Sequence, residues 1–330
     1  MNKKGYLLIN LGTPEAPTRR SVKKYLQTFL MDERVIALPS FIRWILVYGI
    51  IAPFRSGRSA HAYQQVWTSS GSPLAVHSQH LIEKLRDKLP KDVSLAFAMR
   101  YGEPSIDKAL KQLAECDEIV ILPLYPQYAS ATNGSSTVAV FDYFKQQQII
   151  PNLRFIRDFY QHPAYIHALC ESIKPYLKQD YHLLLSYHGL PENQLEKIGC
   201  KPVCNTPCPQ NIIPGKACYR QQCFMTSKSL TSALNLNVKN YTISFQSRLG
   251  KTPWIKPYTD EVIENLAKQG IKNLVVACPA FVADCLETLE EIGIQAKERW
   301  KELGGHELRL IPCLNDQEIW VEALLEILKN

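Results

Sequence analysis

Eight short apolar runs recur along the chain, separated by spacers of helix length. Four lie in the first half: YLLINLG (6–12), VSLAFAM (93–99), EIVILPL (118–124) and LRFIRDF (153–159). Four lie in the second: HLLLSY (182–187), YTISFQ (241–246), NLVVAC (273–278) and ELRLIPC (307–313). Their hydrophobicity is nearly continuous rather than alternating, which marks strands covered on both faces, as in a parallel sheet. IDKALKQLAE (106–115) and DEVIENLAKQG (260–270) carry the helical spacing that crossover connections need. The pattern predicts two α/β domains of four strands each, over 1–150 and 151–314, and a closing amphipathic helix over 315–330.

Ligands of open α/β sheets collect beyond the carboxyl ends of the strands. Polar, Gly and Pro residues gather there in GTPE (12–15), RYGEP (100–104), YPQYASATNGSS (125–136), HGLP (188–191), QSRLG (246–250) and PAFVAD (279–284). A substantial site is expected at these mouths. It is not a dinucleotide or P-loop site, because no GxGxxG follows a strand and no GxxxxGK[ST] occurs.

Composition narrows the partners. Hydrophobic residues at 46% can fill a core, and the net charge of +7 is spread without a Lys/Arg block. That balance suits an acidic small molecule or an anionic membrane surface and argues against nucleic acid. The opening MNKKGYLLINLG has a strand-length apolar run and no small-residue cleavage site, so a reducing cytoplasm is expected. The most apolar segment, WILVYGIIAPF (44–54), is too short to span a bilayer. With Arg43, Arg55 and Arg58 around it, the region 41–58 reads either as a helix packed on the core or as a peripheral contact with the inner face of a membrane.

Two residues could carry chemistry. His188 leaves a strand into a Gly189/Pro191 turn and, near neutrality, can accept a proton or bind a divalent metal. Glu287 follows NLVVAC; Asp284 three residues earlier resembles a helix cap, with Asp284–Glu287 as a capping pair. Glu287, Glu290 and Glu291 stand at i, i+3 and i+4, so a helix would set all three carboxylates on one face. Such a face meets solvent, or it hands on cations or protons.

LLINLGTPE (7–15), FLMDERVIALP (29–39), GSPL (71–74), AMRYGEPSI (98–106), LPLYPQYASATNGS (122–135), SYHGLP (186–191), FQSRLGKTPWIKPYT (245–259) and CPAFVADCLETLEEI (278–292), in this order, resemble ferrochelatase. The resemblance implies two Rossmann-like halves, a porphyrin cleft between them, and insertion of Fe²⁺ into protoporphyrin IX to form haem. It makes His188 and Glu287 the catalytic pair that handles Fe²⁺. It also puts Leu11 against the macrocycle, with Arg100, Tyr125, Ser130 and Arg248 as candidate partners of the substrate. A coproporphyrin III enzyme and a non-catalytic porphyrin-binding or iron–sulfur sensor protein are the alternatives. The sequence departs from the family at Ala280, where glycine is usual, and at Cys285, where eukaryotic relatives carry histidine.

Residues 200–223 read CKPVCNTPCPQNIIPGKACYRQQC, with Cys200, Cys204, Cys208, Cys218 and Cys223. Four prolines and no helical spacing make the segment a loop in need of a staple. Four thiolates suit Zn²⁺ or a [2Fe–2S] cluster, or the thiols carry no metal. The C-x₃-C-x₃-C spacing differs from the usual C-x₂-C of zinc ribbons. Some bacterial ferrochelatases carry a [2Fe–2S] cluster on an internal cysteine segment, and the resemblance implies one here on four of the five, with Cys223 the candidate spare.

Overall fold

A computed structural model of the chain describes residues 3–200, 203–204, 217–248, 250 and 252–329. All eight apolar runs are strands. β1 (Lys4–Asn10), β2 (Val93–Met99), β3 (Glu118–Pro123) and β4 (Asn152–Phe155) form a parallel sheet of order β2-β1-β3-β4. A second parallel sheet, of order β6-β5-β7-β8, contains β5 (Tyr181–His188), β6 (Tyr241–Gln246), β7 (Asn273–Ala277) and β8 (Glu307–Leu310). Helices flank both. The fold is therefore α/β with two four-stranded parallel sheets, as the run pattern predicts.

Burial on both faces explains the uninterrupted hydrophobicity. Leu7, Ile9, Ala98, Ile119 and Ile121 of the first sheet pack with Ile106, Leu110 and Val140 of its helices. Leu184, Leu274, Val276 and Leu308 of the second pack with Ile263, Ile292 and Trp300. Each large aliphatic side chain so buried stabilises its layer by about 1.5–3 kcal/mol.

The chain divides into one unit of residues 1–125, 129–158 and 328–330 and a second of 126–128 and 159–327. β4 belongs to the first of these units and pairs with β3 from Glu118↔Asn152 to Ile121↔Phe155. The closing helix is Glu318–Lys329, with Trp320, Val321, Leu324 and Leu328 on its buried face.

The apolar segment near residue 44 is helical from Ser40 to Val66, with a wide π-type turn over Ile45–Ile51. Val47, Ala52, Ser56, Ala60 and Tyr63 are buried. The opposite face leaves Phe41 73% and Phe54 81% exposed, with Ile42, Trp44, Ile45 and Ile50 also open. Arg43 is turned in and donates to the carbonyls of Ile36 and Leu38 at 3.1 and 3.0 Å. Packing on the core accounts for one face only. No helix among the described residues is long and apolar enough to cross a membrane.

Candidate functional site

His188 is the last residue of β5, in register with Gln246 at the end of β6. Its Nδ1 lies 2.6 Å from the carbonyl oxygen of Gly189. A carbonyl can only accept, so Nδ1 carries a proton, and in the neutral ring Nε2 keeps its lone pair. The ring is flanked by Trp254 and Phe281, at centroid separations of 6.3 and 6.2 Å. Gly189 is dictated by crowding: a Cβ there would stand 2.8 Å from the Gln246 carbonyl oxygen and 3.1 Å from the Trp254 ring. The turn that aims the imidazole therefore has no room for a side chain.

The carboxylates come from the segment after β7. The N-cap of its first helical turn, Leu286–Leu289, is Cys285 rather than Asp284. The Cys285 side chain accepts from the Thr288 N–H, and Thr288 Oγ1 accepts from the Cys285 N–H at 3.1 Å. Asp284 is buried and accepts instead from Thr288 Oγ1 (3.0 Å), Asn315 Nδ2 (2.7 Å) and the Cys313 N–H (3.3 Å). A π-type turn, Glu291–Ala296, follows at once.

That turn breaks the shared carboxylate face. Glu290 points outward and accepts from Gln295 Nε2 at 2.7 Å. Glu291 turns inward and accepts from the Ser247 N–H (2.7 Å), Ser247 Oγ (2.6 Å) and Gln246 Nε2 (3.3 Å). Gln246 Nε2 also donates to the backbone oxygen of Glu287 at 2.7 Å. Burial pushes the Glu291 pKa up; Ser247 and the His188 imidazole pull it down, and the Glu287 charge pushes it up again. His188, Glu287 and Glu291 thus share one electrostatic neighbourhood in the second unit. No Lys or Arg pairs with either carboxylate among the described residues. No group of three or more His, Cys, Asp or Glu is placed to hold a metal ion among them.

Of the other sequence-predicted substrate partners, Leu11, Arg100, Tyr125 and Ser130 belong to the first unit and Arg248 to the second. Leu11 follows β1, half-buried, and its carbonyl accepts from the Tyr101 N–H at 2.8 Å. Gly12 beside it has φ +116°, and a Cβ there would meet the Tyr101 carbonyl oxygen at 2.0 Å. Arg100 is engaged within the first unit: Nε donates to Ser135 Oγ at 2.7 Å and an Nη to Asp32 Oδ2 at 2.7 Å. The same Asp32 oxygen accepts from Tyr101 Oη (2.8 Å) and Ser135 Oγ (2.5 Å), and Oδ1 accepts from the Arg34 N–H (2.8 Å). Burial alone would raise the Asp32 pKa; the bonds from Ser135, Arg34 and Tyr101 and the Arg100 charge outweigh it and leave the carboxyl lowered.

The Tyr125 hydroxyl is buried with no hydrogen-bond partner among the described residues, and burial pushes its pKa up. Ser130 Oγ accepts from an Arg34 Nη at 2.8 Å. Arg248, in the second unit, reaches Asp260 at 2.9 Å and Glu261 at 3.5 Å and lies over the Tyr258 ring. Sequence reasoning missed Asp32, Gln246 and Ser247. A carboxylate 68 positions before its arginine and a neutral amide leave no local signal; QSRLG after β6 marked only the place.

Cys208 lies outside the described residues. Cys200, Cys204 and Cys218 are half-buried, and Cys223 is wholly buried in the helix Tyr219–Ala233. Tyr219, beside Cys223, donates its hydroxyl to the His188 carbonyl oxygen at 2.8 Å.

The family model described as Ferrochelatase matches residues 3–330. The chain is similar to a ferrochelatase of Legionella pneumophila (strain Lens), 53% identical over 328 residues covering 99% of both chains. It is also similar to a ferrochelatase of Coxiella burnetii (strain CbuG_Q212), 46% identical over 339 residues, covering 100% of this chain and 94% of the relative. Among solved structures, SirB from Bacillus subtilis with Fe³⁺ aligns with 99% of this chain and 94% of its own, with a TM-score of 0.56 and 12% identity; that likeness concerns the fold.

Proposed function

The chain belongs to the ferrochelatase family and inserts Fe²⁺ into a porphyrin for haem synthesis, and we propose that His188 and Glu287 perform the insertion on protoporphyrin IX. One observation carries this reading: Nδ1 of His188 is committed to Gly189, so Nε2 of the neutral ring has a lone pair to give, in a neighbourhood shared with two carboxylates that no Lys or Arg neutralises among the described residues.

Metallation exchanges two pyrrole N–H protons for one Fe²⁺. Nε2 accepts a proton as the nitrogen lone pair turns to the metal, and Glu287 holds the cation or takes the second proton. Imidazole and carboxylate bind Fe²⁺ without trapping it as a thiolate cage would. Leu11 supplies an apolar contact to the ring, and Ser130 is a partner for a porphyrin carboxylate. Arg248 serves a carboxylate only by leaving Asp260. Arg100 and Tyr125 we assign to the end of the first sheet. Parallel anaerobic assays with protoporphyrin IX and coproporphyrin III test the substrate: preferential turnover of the four-carboxylate porphyrin overturns that assignment.

For the cysteine segment we infer a [2Fe–2S] cluster on four of the five thiols. Spacing and the loop composition support it. We take Cys208 into the donor set on the C-x₃-C-x₃-C spacing it shares with Cys200 and Cys204. Cys223, wholly buried in its helix, is the one we leave out. Anaerobically isolated protein should show cluster absorbance that Cys204→Ser removes and Cys223→Ser keeps; zinc in place of iron at that segment would contradict it.

The exposed apolar face at 41–54 supports peripheral attachment at the cytoplasmic side of a membrane. Residues 34–82 contain Arg34, Arg43, Arg55 and Arg58 and no Asp or Glu, a balance that favours anionic lipid. Sedimentation with anionic vesicles should fall on Phe41→Ser/Phe54→Ser; equal sedimentation of both proteins excludes this face.

A further inference from the structure

The end of β6 does more than close the second sheet. Gln246 is 3% exposed, and every polar group of its side chain is spent. Oε1 accepts from Ser186 Oγ at 2.8 Å, two residues before His188, and lies 3.7 Å from the Cys278 thiol. Nε2 donates to the Glu287 carbonyl oxygen and the Glu291 carboxylate. The backbone oxygen of Gln246 accepts from the Gly189 N–H at 2.8 Å. One residue is therefore bonded on both sides of His188, to Ser186 in β5 and to Gly189 just after it, and to both positions of the carboxylate turn. The amide has one orientation, because reversing it would set an oxygen against the Glu287 carbonyl.

Ser247 completes the tie. Its φ of +69° lies in the left-handed region, a strained choice for a residue with a Cβ. The conformation is held by the two bonds that its N–H and Oγ make to Glu291.

We propose that Gln246 and Ser247 are positioning residues, a brace that sets the direction of the Glu287–Glu291 carboxylates relative to the His188 imidazole. It acts on the handling of the metal and leaves porphyrin binding alone. The proposal rests on the reading of His188 and Glu287 as the reacting pair. A glutamine is required because its amide donates to a carbonyl and a carboxylate while accepting from a hydroxyl. Glutamate at 246 would set a third carboxylate against the other two, and methionine would fill the space without the bonds.

Steady-state insertion of Fe²⁺ or Zn²⁺, with metal and porphyrin varied separately, tests the brace. Gln246→Glu and Gln246→Met should each lower kcat about 10–100-fold and raise the metal KM, as loss of an outer partner of a metal-handling group does, with porphyrin KM kept within about twofold. Ser247→Gly relieves the strained φ but deletes the hydroxyl. It should melt no lower than the parent yet turn over about 3–10-fold more slowly, a split that a purely structural serine would not give. The brace is overturned if Ser247→Gly and whichever Gln246 variant folds keep kcat and metal KM within about twofold of the parent. A parallel His188→Ala protein separates the two failures: full activity there overturns the site reading itself, whereas loss of activity there with unaffected brace variants overturns the brace alone.

Discussion

The two sheets share a strand order, with the first strand second in line and the third beside it, and each unit holds a half-buried polar nest. The nests are spent differently. In the first unit Asp32 accepts four hydrogen bonds and Arg100 gives two, so charge is matched and the carboxyl is held in its ionised form. In the second, Glu287 and Glu291 share an electrostatic neighbourhood with one imidazole and with no Lys or Arg among the described residues, burial favours the neutral form of Glu291, and Nε2 of the neutral His188 ring is left over. A matched nest stabilises and has nothing to give. An unmatched nest costs stability and can move a proton or a cation.

The largest contrast should come from neutralising one carboxylate in each nest. Glu287→Gln keeps shape and removes charge, and turnover should fall by about 10²-fold or more, with the melting temperature little changed. Retention of most of the activity would move the chemistry off that residue. Asp32→Asn should reverse the pattern. Leaving Arg100 with no anion in a site where Asp32 is 6% exposed should cost about 3–5 kcal/mol on chemical unfolding. Its effect on turnover per folded molecule should be small.

Acid sharpens the same comparison. Because the folded pKa of Asp32 lies below its ordinary 3.8, the stabilisation is complete above that value and is lost as pH falls through the folded pKa. Asp32→Asn should lack that acid step. An unchanged acid limb in the variant would show that the pairing contributes nothing.

What could be read from the sequence follows from how local each signal is. The strands are legible because both-face burial leaves continuous apolar runs; even β4, only Asn152–Phe155 and the shortest along with β8, shows as one. His188 and Glu287 stand in family-specific motifs. The cap at Cys285 and the outward turn of Glu290 were not legible, since a π-type turn departs from the 3.6 period on which the shared face was predicted. Nor could periodicity tell that one face of 41–54 lacks a partner. Asp32–Arg100 and Gln246–Glu291 join residues far apart in the chain, and only the tertiary fold brings them together.

One measurement reaches the central claim most directly: porphyrin binding and Fe²⁺ insertion followed side by side in His188→Ala. An imidazole whose free Nε2 takes the pyrrole proton predicts binding close to the parent and insertion lower by about 10²–10⁴-fold. Insertion at the parental rate, or binding and insertion lost in equal measure, would contradict it.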